Sequence, residues 1–171
     1  MDENVLTIPY RGDEPTVSEN LLSREWLVTN GLGGYASGTV AGAATRRYHS
    51  LLIAALPAPL GRRVMLNHLM EMVRLPDGKT FLLGGEELVS EGLRVPGGEL
   101  LREYRLERGL PVWRFELPGF VLEKRIYLPY RQNTVHVQYR VVEGEGSLRL
   151  KLLPSVHFRR HEAPVNEAHD A

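Results

Sequence analysis

Apolar and polar residues alternate along much of the chain between residues 62 and 158. In VHVQYRV (135–141) the valines and the tyrosine occupy every second position, and polar residues stand between them. SLRLKLL (147–153) alternates in the same way, with leucines on one face and basic residues on the other. VLEKRIYL (121–128) has one apolar face that is interrupted by Lys124. A period of two predicts strands with one buried face.

Short turn sequences separate these strands. Pro76-Asp77-Gly78 is predicted to connect a strand at 64–75 to TFLLG, and Arg108-Gly109 to connect LREYRLE to PVWRFELP. Glu143-Gly144-Glu145-Gly146 is predicted to join 135–141 to 147–153 as a hairpin, because glycine supplies the positive φ of tight turns. Residues 64–73 also suit a helix by propensity. We favour a strand there because a turn follows directly.

Consecutive strands joined by short turns predict a mainly β protein, an antiparallel β-sandwich formed as one domain over residues 1–171. Residues 1–24 are predicted to be an irregular lead-in with one short strand, VLTIPY. Residues 25–60 are rich in glycine and alanine and contain the candidate motifs.

Composition narrows the classes of function. Lysine plus arginine and aspartate plus glutamate each number 21, so no global field favours nucleic acid or an anionic membrane as a partner. The chain has no cysteine, which excludes disulfides and cysteine–zinc sites. The N-terminus has no secretory signal pattern, and proline interrupts the most apolar run, SLLIAALPAPL. We expect a soluble cytoplasmic protein.

Two glycine motifs resemble nucleotide sites but lack the required context. Residues 31–36 (GLGGYA) satisfy the loose dinucleotide pattern, but no carboxylate follows about 20 positions later and no βαβ unit is predicted. Gly78-Lys79-Thr80 resembles the end of a P-loop, but Val73 stands where that loop needs glycine. The sequence therefore predicts no cofactor site.

No catalytic constellation stands out either. Glycoside hydrolysis needs two carboxylates on opposite sides of the bond. The candidates are predicted to be solvated surface groups: Glu71, Asp77, Glu86, Glu87 and Glu91. No pair of the six histidines shows the His-x₃-His spacing of a helical zinc site together with its glutamate, and His157 and His161 lie near the C-terminus. No G-x-S-x-G nucleophile elbow occurs. We predict no catalytic residue and no metal in this chain.

The stretch Thr45-Arg46-Arg47-Tyr48-His49 allows two interpretations. The arginines are a solvated charge pair beside a core tyrosine, or the stretch is a polar cluster that donates to sugar hydroxyls and stacks on a pyranose. Under the second interpretation Asn30 supplies both a donor and an acceptor. The candidate residues for substrate binding or a domain interface are Trp26, Asn30, Arg46, Arg47, Tyr48 and His49.

The segment EWLVTNGLGGYASGTVAGAATRRYHSLLIAAL (25–56) resembles the signature near the start of bacterial and archaeal glycogen debranching enzymes of the amylo-α-1,6-glucosidase type. It departs from that signature at Ser50, where glycine is usual, and at Ala44, where a polar residue is common.

The resemblance implies a β-sandwich of the super-sandwich type, like the N-terminal domain of bacterial glucoamylases. In such enzymes the catalytic carboxylates lie in a following (α/α)₆ barrel, which this chain does not contain. The resemblance thus implies an N-terminal domain, truncated at its C-terminal end and inactive alone. Its expected partners are its own barrel and a branched α-glucan. The alternative is a stand-alone carbohydrate-binding or scaffolding β-sandwich.

Overall fold

The computed structural model describes residues 5–9, 17–88 and 92–165. The elements in chain order are β1 Val5–Pro9, α1 Val17–Ser23, β2 Glu25–Thr29, β3 Tyr35–Thr39, β4 Ser50–Ala55, β5 Arg62–Arg74, β6 Thr80–Leu82, β7 Glu86–Leu88, β8 Gly92–Arg94, β9 Leu101–Glu107, β10 Leu110–Leu117, β11 Phe120–Tyr127, β12 His136–Glu143 and β13 Arg149–Val156.

Two antiparallel sheets pack face to face as a sandwich, which confirms the predicted fold class. Sheet A has the strand order β1-β9-β10-β11-β12. Sheet B has the order β13-β5-β4-β3-β2, with β6 added to β5, and β7 and β8 form a separate pair. α1 is short, and no helix among the described residues is long and apolar enough to cross a membrane.

The predicted hairpins around residues 76–78 and 108–109 are present. β5 pairs with β6 across the first turn, so residues 64–73 are strand as favoured. β9 pairs with β10 across the second, where Arg108 and Gly109 have φ of 53° and 78°. Two successive positive φ values match the twist of a two-residue hairpin loop.

The connection at residues 143–146 is not the hairpin predicted from its glycines. β12 pairs with β11 at the edge of sheet A, whereas β13 pairs with β5 at the edge of sheet B. The chain therefore crosses from one sheet to the other between these strands. Glycines indicate a change of direction, but they do not determine which strand becomes the hydrogen-bonded partner.

The lead-in is more ordered than its sequence indicates. The short strand predicted at 5–10 is present as β1, although residues 1–4 and 10–16 lie outside the described part. α1 was not predicted, and it buries Leu21 completely in the core.

Aromatic side chains join the two sheets. The rings of Trp26 in β2 and Trp113 in β10 meet edge to face with centroids 5.4 Å apart. Tyr104 contacts the same Trp113 ring at 5.4 Å, and Trp113 Nε1–H donates to the carbonyl oxygen of Val40 at 2.9 Å. Such aromatic pairs contribute about 0.5–1.5 kcal/mol beyond the area that they bury.

A charged group also lies between the sheets, and this corrects the prediction that Glu71 is a solvated carboxylate. Glu71 is only 2% exposed. Its Oε1 lies 2.7 Å from Lys124 Nζ and accepts a hydrogen bond from the Tyr139 hydroxyl, both in sheet A. Burial and the neighbouring carboxylate raise the pKa of Tyr139 far above its usual range. Lys124 interrupts the apolar face of β11 because it forms this pair.

Candidate functional site

The glycine-rich segment after β2 folds around the buried side chain of Asn30. The Asn30 amide oxygen accepts from the N–H groups of Leu32 at 2.9 Å and Gly34 at 3.0 Å. Its Nδ2 donates to the Gln132 carbonyl at 2.8 Å and to Asn133 Oδ1 at 3.2 Å. Both ends of one amide are thus used to hold two loops together.

Two glycines are required by this arrangement. Gly31 has φ of 75°, and a Cβ at this position would lie 2.5 Å from the ring of Tyr130. A Cβ at Gly34 would lie 2.9 Å from the Ile53 carbonyl oxygen and 2.7 Å from Asn30 Nδ2. The glycine motif is therefore a close-packed loop junction, not a phosphate cradle.

The basic-aromatic stretch divides between surface and interior. Arg46 is 56% exposed and forms an ion pair with Glu25, and Tyr48 is 40% exposed. His49 is 1% exposed, and its Nδ1 accepts from the Thr45 N–H at 3.2 Å. Burial lowers the pKa of His49 against the opposing effect of Glu25.

Glu25, in β2, is the carboxylate that contacts both Arg46 and His49 of the basic-aromatic stretch. The hydrogen bond from Arg46 is the main reason that the pKa of Glu25 lies below its ordinary value. Oε1 of the same carboxylate lies 3.5 Å from His49 Nε2. Glu25 therefore stays ionised and fixes the Arg46 guanidinium beside Tyr48.

Glu25 and Tyr48 border a groove of about 610 Å³ on the outer face of β2 and β3, here called the glycine groove. It is lined by Glu25, Trp26, Leu27, Thr29, Gly31, Gly33, Gly34, Tyr35, Ser37, Tyr48 and Arg62. Arg62 is fixed by a 2.7 Å bond from Nε to the Gly33 carbonyl. Aromatic faces beside a carboxylate, a guanidinium and hydroxyl groups suit a polyhydroxylated ligand.

A separate cleft of about 510 Å³ lies on the other side of the basic stretch. Arg46 and Arg47 border it together with Asn67, His68 and Ser155. It is formed where residues 44–47 approach the end of β13.

The six candidate residues from the sequence do not share one environment. Arg46, Arg47 and Tyr48 reach the surface. The other three are buried: Trp26, Asn30 and His49. Trp26 Nε1–H donates a hydrogen bond to the Thr39 carbonyl oxygen at 3.1 Å. The binding or interface roles predicted for the six stay predictions, with the exposed three available for direct contact.

Of the six candidate residues, Trp26 and Tyr48 line the groove, and sequence reasoning missed the other lining side chains, among them Leu27 and Arg62. Leu27 is 60% exposed on β2, where alternation with the buried Trp26 and Val28 signals an outward position. Arg62 follows a glycine turn far along the chain, and no sequence signal associates it with Gly33. Only the pairing of β3, β4 and β5 brings them together.

Comparison with known proteins gives one match. A family model described as "Glycogen debranching enzyme N terminal" matches residues 24–171. No curated protein and no solved structure matches the chain. The matched region begins just before β2 and includes the glycine-rich segment, the basic-aromatic stretch, all of sheet B and all of sheet A except β1.

Proposed function

The chain belongs to the family of glycogen debranching enzyme N-terminal domains, and from this premise we propose that it is the accessory domain of a hydrolase of α-1,6-glucosidic branch points. The observation that carries the proposal is the family match over residues 24–171. The partners in this proposal are a C-terminal catalytic barrel of the same protein and a branched α-glucan, in the cytoplasm.

Catalysis is assigned to the barrel because the described carboxylates do not form a catalytic pair. Glu71 lies between the sheets and is bound by Lys124. Glu123 lies on the outer face of sheet A and is bound by Arg105 and Arg140, each at 2.9 Å. Neither faces the glycine groove, where Glu25 is the bordering carboxylate. A glycosidase needs two carboxylates that flank one bond.

The glycine groove is the surface proposed for glucan contact. Tyr48 presents an exposed ring, Glu25 supplies a charged acceptor and Arg62 supplies a charged donor at its border. The groove volume lies within the range of small-molecule sites. Sugars are bound by stacking on aromatic faces and by hydrogen bonds to hydroxyl groups, and the groove offers both.

The enzyme assignment is tested by glucose release from a branched limit dextrin. We expect the 171-residue chain to release no glucose above a blank, and the intact enzyme to release glucose. Release by the 171-residue chain itself would contradict the assignment of catalysis to the barrel. Binding of glucan without any associated hydrolase would instead favour a stand-alone carbohydrate-binding module.

The groove assignment is tested by Tyr48→Ala in the intact enzyme. Loss of the exposed ring should raise KM for the dextrin about tenfold, which corresponds to ~1.4 kcal/mol, and leave Tm unchanged. Phe158→Ala is the matched control because Phe158 is an aromatic residue that is 57% exposed and does not line the groove. Equal kinetics for wild type and Tyr48→Ala would remove the groove from the proposal.

A further inference from the structure

His49 is a buried side chain that lies behind the border of the glycine groove. It is 1% exposed, so it acts on a bound molecule only through its neighbours. Its ring meets the Tyr48 ring edge to face, with centroids 5.4 Å apart. Its Nε2 lies 3.5 Å from Oε1 of Glu25. Tyr48 and Glu25 both line the groove, so His49 supports two of its border groups.

The backbone determines which nitrogen of His49 carries the proton. The Thr45 N–H can only donate, and it contacts His49 Nδ1 at 3.2 Å, so Nδ1 is an unprotonated acceptor. Burial lowers the pKa of His49, and the ring is therefore neutral at pH 7 with one proton. That proton is on Nε2, the nitrogen that lies near the Glu25 carboxylate.

The Nε2–H group of His49 depends on Glu25 for an acceptor. Nε2 is buried and makes no shorter contact with an acceptor in the part of the chain that the structure describes. A buried donor without an acceptor is destabilising, and a charged acceptor gives a stronger hydrogen bond than a neutral one. A separation of 3.5 Å is long for such a bond, and a small movement of the carboxylate toward the ring closes it. The imidazole therefore holds Oε1 on the inner side of the groove border.

The two carboxylate oxygens of Glu25 are used differently. Oε1 accepts the hydrogen bond from Arg46 Nε and lies beside His49 Nε2. Oε2 has no donor among the described residues. The side chain of Glu25 is 35% exposed and lines the groove, so Oε2 is the oxygen that a bound molecule can reach.

We propose that Glu25 Oε2 accepts a hydrogen bond from a glucosyl hydroxyl in the glycine groove, and that His49 is the positioning residue that holds the carboxylate for it. This role rests on the glucan contact proposed above, in which Tyr48 supplies a face for the pyranose. Glu25 then fixes the sugar by one charge-assisted hydrogen bond. An acceptor that is oriented before binding loses less side-chain entropy when the sugar binds.

The charges around Oε2 favour an uncharged hydroxyl over an ion. Arg46 neutralises Glu25, and Arg62 adds a second guanidinium at the groove, so a metal ion or an ammonium group gains little there. An anion would meet the Glu25 carboxylate directly. A sugar hydroxyl donates to a carboxylate without bringing a charge of its own.

The tautomer is tested on the wild-type 171-residue chain with ¹⁵N in the imidazole rings. At pH 7 we expect the Nδ1 signal of His49 at the position of an unprotonated nitrogen and the Nε2 signal at that of a protonated one. A proton on Nδ1 would overturn the positioning role, whatever the groove binds. This measurement needs no variant and no glucan.

Binding is tested by NMR titration of maltotetraose into the same chain. Glu25→Gln keeps the shape of the side chain but replaces the ionised acceptor with an amide, and should raise the Kd at least about tenfold. Glu116→Gln is the matched control, because Arg102 Nε donates to Glu116 at 3.1 Å as Arg46 Nε does to Glu25, and Glu116 does not line the groove. Its Kd should equal that of wild type.

Two amides at position 49 separate positioning from a purely structural role. The amide nitrogen of glutamine reaches the place of Nε2, so His49→Gln keeps the donor to Glu25 and should keep the Kd within about threefold of wild type. The amide of asparagine reaches only the place of Nδ1. His49→Asn therefore keeps an acceptor for Thr45 but loses the donor, and should raise the Kd at least about tenfold. Equal Kd values for the two variants would overturn the role of His49.

The outcomes for Glu25 and for the groove are distinguishable. Weaker binding by Tyr48→Ala together with an unchanged Kd for Glu25→Gln would overturn the role of Glu25 alone and leave the groove as the glucan surface. No binding of maltotetraose by the wild-type chain would overturn both.

Discussion

Asn30 is the residue on which the glycine-rich segment depends, because its amide makes four hydrogen bonds and is fully buried. The sequence suggested Asn30 as a donor and an acceptor for a sugar, whereas in the structure both ends of its amide bind the protein itself, and the binding role stays a prediction. What the sequence did not give was the partner. Gln132 and Asn133 lie more than 100 positions later, and no local pattern identifies a contact at that separation.

The substitution Asn30→Asp should destabilise the fold by about 2–3 kcal/mol. It replaces the donating Nδ2 with a carboxylate oxygen that faces the Gln132 carbonyl and Asn133 Oδ1, so two bonds become repulsive contacts. Urea unfolding measures the change. Asn20→Asp, at an exposed position of α1, is the control and should stay within about 0.5 kcal/mol. A similar midpoint for Asn30→Asp and wild type would contradict this account.

His49 should make stability depend on mildly acidic pH. Burial holds its folded pKa below the ordinary 6.5, so the unfolded chain binds the proton first. Its contribution is present above pH 6.5 and is lost as pH falls through the folded pKa. Glu25 does not add to this loss until below pH 4.5, because its pKa is lowered.

The pH effect is measured as the free energy of unfolding between pH 7 and pH 5 for wild type and His49→Gln. The variant should show a weaker decline than wild type. His136→Gln, which removes an exposed histidine, should retain the wild-type slope. Parallel curves for His49→Gln and wild type would rule out a role of His49 in the pH dependence.

At the scale of elements, alternation identified the strands and their buried faces but not every partner. The hairpins at 76–78 and 108–109 followed from the sequence because each turn is short and the strands beside it are close in sequence. The connection after β12 also contains glycine, but it leads to the other sheet. The burial of Glu71 was missed for a related reason, since the lysine that neutralises it is on β11 in the opposite sheet.

Lys124→Met tests the charged contact between β5 and β11. The variant leaves the Glu71 carboxylate buried without its cation, which should cost about 3–5 kcal/mol. Adding Glu71→Leu removes the stranded charge and should recover most of that loss, although the Tyr139 hydroxyl then lacks its acceptor. Thermal unfolding of the two variants and wild type gives the comparison. A double variant less stable than Lys124→Met alone would contradict the cost assigned to the unpaired Glu71 carboxylate.

At the scale of the whole molecule, the sandwich and the family followed from the sequence, while the surfaces did not. The matched residues 24–171 contain the signature that pointed to the family. The glycine groove depends on Arg62 reaching Gly33, and the cleft beside residues 44–47 depends on the pairing of β13 with β5. Both are properties of strand order, which alternation does not encode.

The strand order also has a consequence for how the chain acquires its structure. β9 to β12 form a meander from residues 101–143 alone, so each of its pairings closes a short loop. The pairing of β1 with β9 forms later, because it joins residues as distant as Val5 and Glu107. The pairing of β5 with β13 also closes a long loop, because it joins Arg74 to Arg149. Long loop closure slows folding. During synthesis from the N-terminus, the edge of β5 that pairs with β13 therefore stays unpaired until residue 156 has left the ribosome. We expect misfolding to begin at this edge, through pairing of β5 with a wrong strand or another chain.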